Sequence, residues 1–239
     1  MRKEPSATSW NPEFDNQPTS DVPRIKFSRM FSDKYLEKKN LILEIGCGTG
    51  SYTRLIDRTS CIALDISLDA VKIAKNYCTR SEFVVASAMN LPFKNETFDL
   101  VCTWGVFEEI PAGAEKEIMI EAKRTLISEG VFVLSAYGDH IIAKILDPAF
   151  IIRGVRHYNP EQFINLISEY GFEVNEYAIR GGLNTLVSNF LFYFSKHVLK
   201  KKDAPFKNYF DKKSANEIYS ASSGIVYMYI ASHKRGNLE

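Results

Sequence analysis

Glu44, the glycines at 46, 48 and 50, and Asp65 are the residues of this chain whose types and spacing could do chemistry together. They stand in Leu41-Ile42-Leu43-Glu44-Ile45-Gly46-Cys47-Gly48-Thr49-Gly50 and in Ala63-Leu64-Asp65-Ile66. A short apolar run that ends in alternate glycines predicts a strand entering a turn where the backbone comes close to a ligand. Glycine permits positive φ there and removes the Cβ atoms that would block the approach. An acid at the tip of the next apolar run can accept hydrogen bonds from ribose hydroxyls. A carboxylate at 44 would repel a pyrophosphate by a few kcal/mol if poorly screened. Glu44 therefore points to a ligand that carries a positive charge.

The elements that must position these residues are predicted to alternate. Apolar runs read as strands at Leu41–Ile45, Cys61–Asp65, Phe83–Ala86, Phe98–Thr103 and Val131–Ala136, with further strands at Phe172–Ile179 and Ile225–Ser232. Helical spacing is read near Gly50, from about Asp69 to Tyr77, from about Ala114 to Leu126, and from Asn159 or Pro160 to Gly171. Mixed apolar and basic residues at roughly helical spacing precede the first strand, over Ile25–Lys38. Strands that are nearly continuous apolar runs suit a parallel sheet covered by helices on both faces. Residues 1–24 are expected to form a flexible arm and 25–239 one domain, with cap insertions at about 137–159 and 180–223.

With 239 residues, a net charge of +1 and 25% charged residues, the composition is that of an ordinary globular protein. Nothing in that total suggests a nucleic-acid partner. Cys47, Cys61, Cys78 and Cys102 are scattered without a C-x-x-C pair, and read as buried thiols of a reducing compartment. No metal is expected. The first 21 residues carry three prolines and no apolar core, which does not suit a signal peptide. A cytoplasmic protein is expected.

The dinucleotide fingerprint fails here, because Gly46 and Gly48 are followed by Ser51. Leu43-Glu44-Ile45-Gly46-Cys47-Gly48-Thr49-Gly50 instead resembles the first motif of the class I S-adenosylmethionine-dependent methyltransferases, of the type 11 kind. Ala63–Ser67, Asn90–Phe93, Thr97–Val101 and Leu126–Leu134 resemble the later motifs, in order. The resemblance implies a Rossmann-like α/β fold: a seven-stranded, mostly parallel sheet with helices on both faces, its last strand antiparallel, and a small helical cap. It implies S-adenosylmethionine as methyl donor. Glu44 would neighbour the methionine ammonium, and Gly46, Cys47, Gly48, Thr49 and Gly50 would underlie the methionine and ribose. Asp65 would bind the ribose hydroxyls and Ile66 would pack on adenine. Ser87, with Ala88 and Met89, stands where relatives often carry an aspartate for the adenine amino group. Trp104 and Phe107 would line the pocket.

On the acceptor side, Glu108, Glu109 and His140 follow predicted strand ends where open α/β sheets place ligands, and His157 precedes a helix from where it could hang over the pocket. Glu108, His140 and His157 are the candidate proton-handling groups, each with a plain alternative as a solvated acid or a surface or capping histidine. His197 and His233 read as structural or exposed. The apolar stretch from Leu183 to Val198, followed by Lys200-Lys201-Lys202, admits three readings. It could be a cap over a hydrophobic acceptor pocket, an interfacial helix giving a weak membrane-surface contact through 183–202, or ordinary packing onto the sheet or a dimer partner. Monomer and homodimer both stay open. The expected reaction is methyl transfer to a small-molecule acceptor, such as a sugar, a lipid-linked glycan or another hydrophobic metabolite. A catalytically silent S-adenosylmethionine-binding subunit is the alternative, and the glycine spacing and Glu44 disfavour a nicotinamide dehydrogenase.

Overall fold

The computed structural model describes residues 22–36, 41–57, 60–147, 150, 154–195, 199, 206–219 and 224–235. His197, Lys200–Lys202 and most of the expected N-terminal arm lie outside the described residues. In chain order the elements are α1 (Pro23–Leu36), β1 (Ile42–Ile45), α2 (Thr53–Ile56), β2 (Cys61–Asp65), α3 (Leu68–Tyr77) and β3 (Glu82–Val85). Then come β4 (Phe98–Trp104), α4 (Glu115–Thr125), β5 (Leu126–Tyr137), α5 (Ile141–Leu146), α6 (Pro160–Glu169) and β6 (Phe172–Arg180). Two helices, α7 (Leu183–Phe194) and α8 (Lys207–Tyr219), precede β7 (Tyr227–Lys234).

The strands form one seven-stranded sheet in the order β3-β2-β1-β4-β5-β7-β6. Neighbours from β3 to β5 pair parallel, whereas β7 runs antiparallel to both β5 and β6. Alternation along the strands divides the core in two. Val131, Val133 and Tyr137 of β5 join Tyr227, Tyr229 and Ala231 of β7 on one face, under α1, α7 and α8. Phe132, Leu134 and Ala136 join Met228 and Ile230 on the other face, under α4 and α6. Burying each large apolar side chain is worth about 1.5–3 kcal/mol. These two layers fix the register, because a one-residue slip would exchange their faces.

Local signals set several boundaries. The Ser67 hydroxyl accepts the Ala70 N–H at 3.2 Å and starts α3. Asn159 caps α6 by accepting the Gln162 N–H at 3.1 Å, with Pro160 following, and Gly171 at φ +84° ends that helix's turn. Two strand starts differ from expectation by more than one residue. β5 starts five residues early, at Leu126, because Glu129 takes a φ of +59° and the strand continues through an irregular register opposite Phe98 and Leu100. β7 begins at Tyr227, two residues late, since Ile225 and Val226 donate to the carbonyls of Gly181 and Arg180 before the ladder proper starts.

Candidate active site

The glycine turn is anchored on β2. The Gly46 and Cys47 amides donate to the Leu64 carbonyl at 2.7 and 2.9 Å, and the Gly48 amide donates to Asp65 Oδ2 at 2.7 Å. The other Asp65 oxygen accepts the Ser67 N–H at 2.9 Å. One carboxylate therefore ties the tip of β1 to the start of α3, and each oxygen keeps acceptor capacity for a further donor. Gly46, at φ +74°, has no alternative residue, because a Cβ there would collide with Cγ2 of Val106. Above Gly48 the space is open, with nothing within 4 Å of an added Cβ. Ile66, Leu68, Val85 and Met89 leave an exposed apolar shelf beside Asp65. Ser87 Oγ accepts the Met89 N–H at 3.2 Å in the turn after β3.

Glu44 lies below this turn, buried at 2% exposure, and accepts the Thr53 hydroxyl of α2 at 2.5 Å. Burial, more than the nearby Asp65 charge, pushes its carboxyl up to about 8. A cation close by would reverse that shift.

A second set of groups gathers at the ends of β4, β5 and β7. Trp104 closes β4, its ring centroid 4.9 Å from that of Tyr52 after the glycine turn. Gly105, at φ +73°, turns the chain, and an added Cβ there would stand 3.2 Å from Glu108 Oε1 and 3.7 Å from Arg24 Nη1. These residues line a narrow crevice with Ser135, Tyr227 and Tyr229. Glu108 is buried, and burial pushes its carboxyl up to about 8, with Glu109 and Asp147 adding to the rise and Arg24 opposing it. Burial works against the Arg24 charge, yet Tyr137, Tyr227, Tyr193 and Glu108 around it raise its pKa overall.

A neighbouring crevice holds the other candidate pair. His157 Nε2 stands 3.3 Å from Asp147 Oδ2, both side chains almost wholly buried, with Tyr137, Leu186 and Asn189 around them. Backbone bonds join Tyr137 and Asp139 to Tyr158 there. Tyr158 N donates to Tyr137 O and Asp139 N donates to Tyr158 O, each at 2.8 Å. The Tyr158 hydroxyl and the Arg156 guanidinium donate to the Phe107 carbonyl at 2.6 and 3.0 Å, which holds the loop carrying Glu108.

The structure thus brings Trp104, Glu108 and His157 to one end of the sheet, next to the glycine turn. His140 is placed otherwise: its Nδ1 accepts the Ile142 N–H at 3.3 Å and caps α5. Phe107 is fully buried in the opposite core layer, 5.2 Å from the Phe163 ring. His233 pairs with Asn175 at the exposed end of β7. Arg24, Thr53 and Asp147 escaped the sequence reading. Only Asp147 carried a signal, as an acid before a proline in a stretch without regular spacing.

The family described as "Methyltransferase domain" matches residues 43–134, from the middle of β1 to the middle of β5. Residues 43–134 are thus similar to a methyltransferase domain. An uncharacterized protein of Methanocaldococcus jannaschii is 31% identical over 148 residues, which cover 60% of this chain and 55% of that protein. The human protein named probable tRNA methyltransferase 9B is 28% identical over 130 residues, covering 53% of this chain and 27% of its own length. The chain thus spans about half or less of the curated relatives it matches. Among solved structures, the PH0226 protein of Pyrococcus horikoshii superposes with a TM-score of 0.63 at 16% identity, covering 95% of this chain and 97% of the other. That likeness is one of fold. The match to this family implies S-adenosylmethionine as the methyl donor. The residues present fit that donor: an open backbone cradle at Gly48, an acid at the tip of β2, an apolar shelf, and a buried carboxyl whose pKa burial has raised.

Proposed function

We propose that this chain transfers the sulfonium methyl of S-adenosylmethionine to a small-molecule acceptor seated beneath α1, α5 and α7. The reading is carried by the joint between Asp65 and the Gly48 amide, with the buried Glu44 on the strand that leads into the same turn. Gly46, Cys47, Gly48, Thr49 and Gly50 would cradle the donor, with Asp65 on the ribose. Ile66, Ala88 and Met89 would lie against adenine near Ser87, and Glu44 would balance the ammonium. Phe107 is left out of this set, because its ring belongs to the far core layer.

The donor, when bound, supplies an electrophilic methyl group. The chain's own share is to position the acceptor, exclude water and accept a proton. Trp104, Tyr52 and the cap helices shut water away from the ends of β4 and β5. His157 can take a proton from an acceptor hydroxyl or amine at a ring nitrogen, and Asp147 orients the ring and stabilises the imidazolium. Glu108, pushed up to about 8, holds its proton at neutral pH and can donate a hydrogen bond to the acceptor. A net charge of +1 lends no support to a tRNA acceptor of the kind in the human relative's name.

Calorimetry with S-adenosylmethionine and with NAD, followed by transfer of labelled methyl to aqueous and lipid metabolite extracts, tests this reading. The expected result is binding of S-adenosylmethionine but not NAD, and transfer that His157→Ala slows by roughly 10²-fold or more in kcat. Binding of NAD alone would overturn the assignment. Donor binding without transfer to any extract would make the chain a silent binder.

A further inference from the structure

Given the methyltransferase reading, on which this rests, we infer that the methyl acceptor is a carboxylic acid whose carboxylate is held between the Arg24 guanidinium of α1 and the Glu108 side chain after β4. The fold sets the Arg24 backbone in place, since its carbonyl accepts the Ser28 hydroxyl at 3.0 Å and the Tyr229 hydroxyl at 3.3 Å. Its guanidinium, in contrast, takes part in no hydrogen bond or ion pair among the described residues, although Glu108 flanks the same gap over Gly105. Tyr227, another wall of that crevice, is already engaged. Its hydroxyl exchanges hydrogen bonds with the Asn189 side chain at 2.8 and 3.0 Å. Glu108 Oε2 is buried without a hydrogen-bond partner among the described residues.

A guanidinium and a buried acid that face one gap unpaired are both costly. A third group that satisfies both must accept from Arg24 and from Glu108 at once. Arg24 is charged throughout the ordinary pH range and offers a planar fork that matches a carboxylate. Glu108 keeps its proton at neutral pH because burial raises its carboxyl, and Glu109 and Asp147 raise it further. It can therefore donate to an anion, where an ionised Glu108 would repel one. A cationic guest would be repelled by Arg24, and a neutral one would leave the guanidinium unmatched. Trp104, Ile25 and Tyr229 add walls that suit an apolar body behind the carboxylate. The donor carries a carboxylate too, but on the same carbon as its ammonium, which belongs beside Glu44 in the proposed site. Glu44 lies among Thr53 and Asp65, whereas Arg24 lies among Tyr137, Tyr193, Tyr227 and Glu108.

The test is titration of the S-adenosylhomocysteine complex with benzoate, and with benzamide as the neutral molecule of the same shape. Benzoate should bind and benzamide should not. Arg24→Gln should weaken benzoate binding by roughly tenfold or more, and Arg24→Lys by less. The Arg24→Gln chain should keep its thermal unfolding midpoint and its S-adenosylhomocysteine affinity, which shows that fold and donor site are intact. In metabolite extracts, labelled methyl should enter the fraction retained on an anion exchanger, and esterifying the carboxylates of that fraction beforehand should abolish transfer. Equal binding of benzoate and benzamide, or benzoate binding that Arg24→Gln leaves unchanged, would overturn the inference. So would transfer confined to the unretained fraction. A loss of S-adenosylhomocysteine affinity in Arg24→Gln would overturn it as well, by giving Arg24 to the donor's own carboxylate. If the native chain binds no S-adenosylhomocysteine, the methyltransferase reading falls instead, and benzoate titrated into the chain alone still decides whether Arg24 holds a carboxylate.

Discussion

Asp65 shows how one side chain can serve the fold and a ligand together, since both its oxygens already accept backbone amides that shape the turn. Glu44 is the more telling residue for binding. With its carboxyl pushed up to about 8, the free protein carries a proton there at pH 7. A cation bound beside it lowers that value, so binding must release the proton. Calorimetry in buffers of different ionisation enthalpy should therefore find close to one proton released per S-adenosylmethionine at pH 7, and affinity that rises with pH and levels off above about 8. Glu44→Gln should bind more weakly and release none. If the native chain releases no proton, no cation stands beside Glu44. The glycines, Glu44 and Asp65 were legible in the sequence because a charge inside an apolar run is costly and needs a reason. The His157–Asp147 pair was not, because its members meet only after the chain folds back on the tip of β5.

At the scale of elements, one acid of α8 ties down the start of α7. The Glu217 carboxylate accepts the amides of Gly182, Asn184 and Thr185 at 2.9, 3.0 and 2.8 Å, together with the Thr185 hydroxyl at 2.8 Å. Burial pushes its carboxyl up, but these hydrogen bonds more than offset it and leave the pKa lowered. The sign follows from that direction. Its stabilising effect is present above the ordinary carboxylate range and is lost as pH falls through the lowered value. Glu217→Ala should cost about 2 kcal/mol in urea unfolding at pH 7, the upper range for a helix cap, with little difference from the native chain once both are fully protonated. Equal stability at pH 7 would remove Glu217 from this role. Element identity was readable where strands were continuous apolar runs, as at Cys61–Asp65. Boundaries were harder at Ser128-Glu129-Gly130, whose turn-like residues are carried inside β5 as an irregularity.

For the whole molecule, a ligand that binds only the folded chain must raise its stability. S-adenosylhomocysteine at about 100 times its Kd should add roughly 2.7 kcal/mol, which for a chain of this size is roughly 5–11 °C in Tm. Scanning fluorimetry would read this directly, and no shift at saturating ligand would contradict the proposed donor site. The order of the sheet was expected only in outline, because strand spacing says which strands exist but not that β7 enters between β5 and β6. That placement also brings Tyr227, at the start of β7, to the end of β5 beside Tyr137. It has a consequence for synthesis. β5 and β6 leave the ribosome well before the strand that pairs with both, so each presents an open hydrogen-bonding edge in the meantime. Until β7 emerges, the nascent chain is a half-closed sheet that needs shelter from its neighbours.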